Sequence, residues 1–158
     1  MLSEDKKIIP LLASANFGGG LSMDSFKGHG DSVTIIMLCG AITGNAVLTV
    51  HSGATAGATT STLPFKIAVG GGAIGAASAD YLSAWTDSGA SSNVTFTGAT
   101  YTTKMAVVEV DLSGVDTANN EMWITPALSN AASSGIMYAA AIVDNPRYTG
   151  NRSTTLLA

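Results

Sequence analysis

The stretch whose reading decides the fold is Gly135–Asp144, G-I-M-Y-A-A-A-I-V-D. As an extended strand it places Ile136, Tyr138, Ala140 and Ile142 on one face and Met137, Ala139, Ala141 and Val143 on the other. Both faces are apolar. A strand with one solvated face alternates apolar with polar residues, so this one predicts cover on both sides, by its own fold or by another protein. Three alanines favour a helix, but the run is short, opens on Gly135 and is closed by Asn145-Pro146, which favours a central strand.

Val33–Cys39, V-T-I-I-M-L-C, is a strand of the same kind, apolar on both faces apart from Thr34. Six further candidates lie between the two: Ala46–Ser52, Leu63–Val69, Tyr81–Thr86, Asn93–Thr97, Thr103–Leu112 and Glu121–Leu128. Gly44-Asn45 marks a turn before the first of them, and Pro64 must sit at the start of a strand or on an edge. Tyr81–Thr86 reads equally as the end of a helix begun at Ala76. Thr103–Leu112 points Ala106, Val108, Val110 and Leu112 one way, leaving Lys104, Glu109 and Asp111 at its ends or on a solvated rim.

Eight short strands with turn signals between them predict an all-β fold, an antiparallel jelly-roll-like sandwich of two four-stranded sheets. In that topology the first and last strands pair, so one sheet has an apolar outer face while the sheet carrying Thr49, His51 and Trp123 is the more polar. A subunit interface is therefore expected on the first sheet, with Ile36, Met137, Tyr138, Ala139 and Ala140 as candidate contacts. The sequence leaves open which face of Gly135–Asp144 is outward.

Around this domain, placed at residues 32–145, an N-terminal arm over 1–31 and a C-terminal arm over 146–158 are expected. The first is interrupted by Pro10 and rich in glycine, and the second has no periodicity. Arg147 and Arg152 flank Tyr148 in a tail without acidic residues, and Arg and Tyr are side chains that commonly anchor interfaces. The Ser52–Thr62 loop is too poor in large side chains to pack a core of its own.

Only 11% of the 158 residues are charged, against about 25% in typical globular proteins. So little charge suits a chain that works assembled, because few like charges keep copies apart. A net charge of −4 with no basic stripe argues against nucleic acid as a partner. No apolar run reaches the ~18 residues of a membrane span, and the N-terminus lacks the basic and apolar regions of a signal peptide. A soluble protein made in the cytoplasm, with no membrane partner, is expected.

No motif carries chemistry. Gly70-x-Gly72-x-x-Gly75 has the letters of a dinucleotide-binding loop, but the acid that should follow the next strand is missing after Asn93–Thr97, where Gly98-Ala99-Thr100 stands. His29 and His51 have no partners at metal-ligand spacing, the carboxylates are scattered singly, and no nucleophile motif is present. Cys39, the only cysteine, reads as a small buried hydrophobe. Catalytic, cofactor and metal residues are therefore all expected to be absent, and the sequons at Asn93 and Asn151 mean nothing without secretion.

Four segments carry a family resemblance: I-I-P-L-L-A-S-A-N-F-G-G from Ile8, A-V-L-T-V-H-S-G-A-T-A-G from Ala46, G-G-G-A-I-G-A-A-S-A-D from Gly70 and A-A-A-I-V-D-N-P-R-Y from Ala139. Together they resemble capsid accessory proteins of tailed bacteriophages, also called cement or decoration proteins. The resemblance implies a non-enzymatic virion protein on the outer surface of a capsid, made in the host cytoplasm. It also implies two partners, the major capsid protein and further copies of itself as homodimer or homotrimer. A phage tail or neck protein shares this composition. A carbohydrate-binding jelly-roll module, stacking sugars on Trp85, Trp123 or Tyr138, is the reading from another class.

Overall fold

The computed structural model describes residues 6–16, 18, 20–28, 30–129 and 134–144. Among these residues the chain makes twelve strands. The first six are β1 (Lys6–Asn16), β2 (Leu21–Ser22), β3 (Phe26–Lys27), β4 (Ser32–Thr43), β5 (Asn45–Gly53) and β6 (Ser61–Thr62). The others are β7 (Phe65–Val69), β8 (Thr86–Asp87), β9 (Asn93–Thr97), β10 (Met105–Asp111), β11 (Trp123–Ser129) and β12 (Ser134–Asp144). A short helix α1 (Gly98–Tyr101) follows β9, and a 3-10 turn (Leu112–Gly114) follows β10.

Two antiparallel sheets face each other. The first runs in the order β1-β12-β4-β10-β7-β8, and the second in the order β2-β11-β5-β6, with β3 added to β11 and β9 to β5. This is the all-β antiparallel sandwich that the alternation predicts, with the last strand β12 paired to β4 as expected. The strand count exceeds eight because β1, β2, β3 and β6 are additions, and the last three are only two residues long. Of the Tyr81–Thr86 candidate only Thr86 enters a strand, β8.

β1 lies within the segment 1–31 expected to be an arm. Its partner is its own chain's β12, and Ile9 and Leu11 enter the core while Ile8 and Pro10 point outward. Proline reads as a strand breaker in sequence, yet β1 is an edge strand, where a missing N–H costs no ladder bond. The register slips at Leu12 and again before Ala15, so β1 is also kinked.

The core lies between the sheets and is built by alternation. Val33, Ile35, Met37 and Cys39 of β4 point inward beside Met137, Ala139, Ala141 and Val143 of β12 and Ala106, Val108 and Val110 of β10. Leu48 and Val50 of β5 and Ile124 and Leu128 of β11 meet them from the second sheet. Gly44, at φ 78, makes the one-residue corner that carries the chain from β4 in one sheet to β5 in the other. Phe96 stacks on Tyr101 with ring centroids 3.9 Å apart, fastening α1 to the end of the sandwich.

Candidate interaction surface

Strand alternation that fills the core from one side of the first sheet must send the other side outward, and that side is apolar too. On β12 the outward residues are Ile136, Tyr138, Ala140 and Ile142, so the face that the sequence left open is this one. The ladder aligns them in rows. Ile8, Ile142, Thr34, Glu109, Lys66 and Asp87 form one row across β1, β12, β4, β10, β7 and β8. The next row is Pro10, Ala140, Ile36, Val107 and Ala68, and a third holds Tyr138, Leu38 and Met105. Ile8 is 59% exposed, Ile136 55%, Tyr138 42% and Leu38 38%, whereas Ala140, in the middle, is only 8% exposed. Charge is confined to one end of this face, and its centre is aliphatic.

Of the expected contact residues, Ile36, Tyr138 and Ala140 stand together on this face. Met137 and Ala139 do not: both are fully buried between the sheets, because odd-numbered residues of β12 point inward. They are core residues. Arg147, Tyr148 and Arg152 lie outside the described residues, as does His29. The surface also includes Ile8, Leu38, Val107, Ile136 and Ile142, which the sequence reading did not single out. Ile8 was legible only to a reading that kept β1 as a strand through Pro10.

The outer side of the second sheet is different. Ser25 Oγ and Thr125 Oγ1 share a buried hydrogen bond of 2.9 Å, and the Gly57 N–H donates to the same serine oxygen at 2.8 Å. The small-residue loop after β5 thus has a role its composition hid: it closes over this face, and a methyl on Gly53 would overlap Ala58. Beneath it Ser52 Oγ donates to the buried Glu121 carboxylate at 3.3 Å. His51 shares a hydrogen bond with Thr49 Oγ1 at 2.9 Å, and burial lowers its pKa. Trp123 is half buried, with the Lys27 amine 5.5 Å from its ring.

Burial pushes the Cys39 thiol up to about 12, which removes the thiolate a nucleophile needs. The Gly70–Gly75 loop leads into turns, and β7 pairs antiparallel with both neighbours, so no parallel unit frames it for a pyrophosphate. No three His, Cys, Asp or Glu side chains are grouped to hold a metal among the described residues. A cleft of about 600 Å³ at one margin of the first sheet is lined by Asp31, Lys66, Asp87, Glu109 and Asp111. The Ser113 N–H, 2.8 Å from Asp111 Oδ1, holds that carboxyl below its usual range, so it stays ionised and capping. Among the described residues no helix is long and apolar enough to cross a membrane.

No protein-family model and no curated protein matches the sequence. Among solved structures the chain is similar to the crystal structure of the SPBc2 prophage-derived protein YomS. The two are 13% identical, with a TM-score of 0.49, over 88% of this chain and 92% of that one. It also aligns with the structure of infectious bursal disease virus Gt strain, at 8% identity and a TM-score of 0.20, over 97% of this chain and 45% of that one. The VP2 subviral particle of infectious bursal disease virus aligns at 10% identity and a TM-score of 0.17, over 95% of this chain and 43% of that one. The chain thus spans less than half the length of the two viral chains, and none of these likenesses carries an argument about function.

Proposed function

We propose that this chain is a non-enzymatic virion structural protein of a tailed bacteriophage, which binds the outside of the capsid and stabilises it by bridging neighbouring capsid subunits. The observation that carries this reading is the apolar outer face of the first sheet, in a chain of which only 11% is charged. A contiguous exposed apolar face rimmed by polar residues is a contact surface. Holding a shell together needs contact area and no reaction, which fits a sandwich whose cysteine is buried. The four segments resembling capsid accessory proteins supply the choice of particle. The major capsid protein and further copies of this chain are then the partners. The tail with Arg147, Tyr148 and Arg152 is the segment we assign to gripping carboxylates on the shell.

The test is co-sedimentation of the purified protein with shells of the encoding phage from which it has been removed. Saturable binding, together with greater resistance of the decorated shells to heat, is expected. Absence of binding to expanded and unexpanded shells alike overturns the reading, and binding to purified tails moves the protein to tail or neck. One observation favours the carbohydrate module: Tyr81 and Trp85 are exposed close to Asp80 and Asp87. Glycan binding that is lost in Trp85→Ala would establish that alternative.

A further inference from the structure

The outer side of the second sheet lies away from the face assigned to contacts, and the loop over residues 54–60 closes on it beside His51. We propose that His51 is an acid-operated release for this loop: protonation of its ring opens the loop and bares the polar face beneath. This goes beyond the capsid reading, since it invokes neither a shell nor a second copy.

Strand register builds the site. β6, β5 and β11 set Thr62, His51 and Thr125 in one row on the outer side of the sheet. Thr125 has no exposed surface although it points away from the core, so something covers it. The cover is the loop. Ser25 Oγ shares its 2.9 Å bond with Thr125 Oγ1 and accepts from the Gly57 N–H at 2.8 Å, and the Thr60 N–H donates to the Ser52 carbonyl at 3.0 Å. Only Ala56 and Ala58 are half-buried in the loop, and its other residues are exposed. With so little apolar burial, the loop belongs to the low-stability end of the molecule, where a small cost is enough to open it.

The ring's two nitrogens are treated differently. Nε2 shares a hydrogen bond of 2.9 Å with Thr49 Oγ1, whereas Nδ1 is sealed from solvent and no protein group bonds it. A neutral ring tolerates this by carrying its proton on Nε2 and leaving a bare lone pair on Nδ1. A charged ring carries a proton on both nitrogens, and a buried Nδ1–H without an acceptor is costly. It finds one only if the ring turns onto the Ser61 backbone or the loop lifts and admits water. The charged side chains on the elements packed here are Asp24, Lys27 and Glu121. Asp24 is exposed, Lys27 lies over Trp123, and Glu121 accepts from Ser52, whose side chain is on the other side of β5. β5, β6, β9, β11 and the loop carry no ionisable group besides His51. None of the three charges enters the balance at the ring, where burial is the larger influence and lowers the pKa, and the Ser61 backbone opposes it in part. With the closed-loop pKa below an open-loop value of about 6.5, the closed form is at full strength above that pH and weakens as pH falls.

Amide hydrogen exchange of the full chain between pH ~7.5 and ~5, corrected for the intrinsic pH dependence of exchange, tests this. The Gly57 and Thr60 amides are expected to lose protection below pH ~6.5, by up to about tenfold at pH ~5.5, while the amides of the β4–β12 ladder keep theirs. His51→Gln puts a neutral amide in place of the ring, and Gly57 protection is then expected to stay constant over the same range. The ring itself, titrated by its NMR signals in the wild type, should show a pKa below about 6.5. Gly57 protection that does not change with pH in the wild type, or that falls equally in His51→Gln, overturns the proposal. A ring pKa at or above about 6.5 overturns it as well, because the charged ring is then satisfied by Ser61 under a closed loop.

Discussion

Two neighbouring alanines on β12 should respond to the same substitution in opposite ways. Ala139 points between the sheets, opposite Met37 of β4 and Leu12 of β1, with no exposed surface. An aspartate there puts a carboxylate among apolar side chains with no cation in the core cluster to pair it. An uncompensated buried charge costs about 3–5 kcal/mol, a large share of the ~5–15 kcal/mol that holds a typical domain together. Ala140, one residue on, faces outward opposite Ile36 and Pro10 and is 8% exposed. A carboxylate on that side reaches water, so Ala140→Asp should cost an isolated copy no more than about 1 kcal/mol, near the range of surface changes. The proposed contact between copies through this face would add a concentration-dependent part to the melting temperature, and Ala140→Asp is expected to remove it.

Urea unfolding followed by the fluorescence of Trp85 and Trp123 reads both effects. The pH dependence supplies a sign. Desolvation raises the folded-state pKa of Asp at position 139 above its unfolded value of about 3.9, so the penalty is present at neutral pH and fades as pH falls towards that value. Ala139→Asp is therefore expected to gain stability relative to wild type between pH 7 and pH ~4.5, and Ala140→Asp is not. Equal costs for the two variants, or wild-type stability in Ala139→Asp, would refute the assignment of faces on which the whole surface argument depends.

Cys39 in the native protein should resist alkylation at pH 8, with a labelling rate that tracks global unfolding. Because the folded thiol stays protonated up to about 12 and the unfolded one ionises near 9.0, stability should fall above pH 9 by up to about 1.4 kcal/mol per unit. Ser25→Ala removes the shared partner of Thr125 Oγ1 and the Gly57 N–H, so a loss of about 1–3 kcal/mol in urea unfolding is expected, with faster proteolysis in the loop after β5. Deleting Tyr148–Ala158 should leave the melting temperature nearly unchanged and weaken attachment to shells. Full retention of binding would remove the tail from the contact.

Period-two alternation is what made this fold legible. Val33–Cys39 and Gly135–Asp144 read as strands apolar on both faces, and the pairing of β4 with β12 follows from that pattern. What alternation cannot say is which of two apolar faces is inward, and so Met137 and Ala139 stood among the contact candidates until the ladder separated them from Tyr138 and Ala140. β1 escaped because a proline that breaks a central strand is harmless on an edge, and sequence does not announce edges. The loop after β5 looked structureless for a related reason. Its work is done by Gly53, which leaves room for Ala58, and by Ser25, 32 positions before the Gly57 N–H that it accepts from, neither of which leaves a local signal.

The margins of both sheets set a limit on how this chain can grow. Among the described residues, the margin strands β8, β2, β3 and β6 are two residues long, β9 is five, and the longest, β1, carries Pro10 and two slips of register. A ladder needs several consecutive free donors and acceptors to recruit another strand, and margins that are short or kinked offer few of them. With so few charges to hold copies apart, these short and kinked margins are a backbone obstacle to growth into a continuous ribbon. Contacts made through a face can close and stop, so a charge-poor chain with blunted rims can be accumulated at high concentration and still form assemblies of finite size.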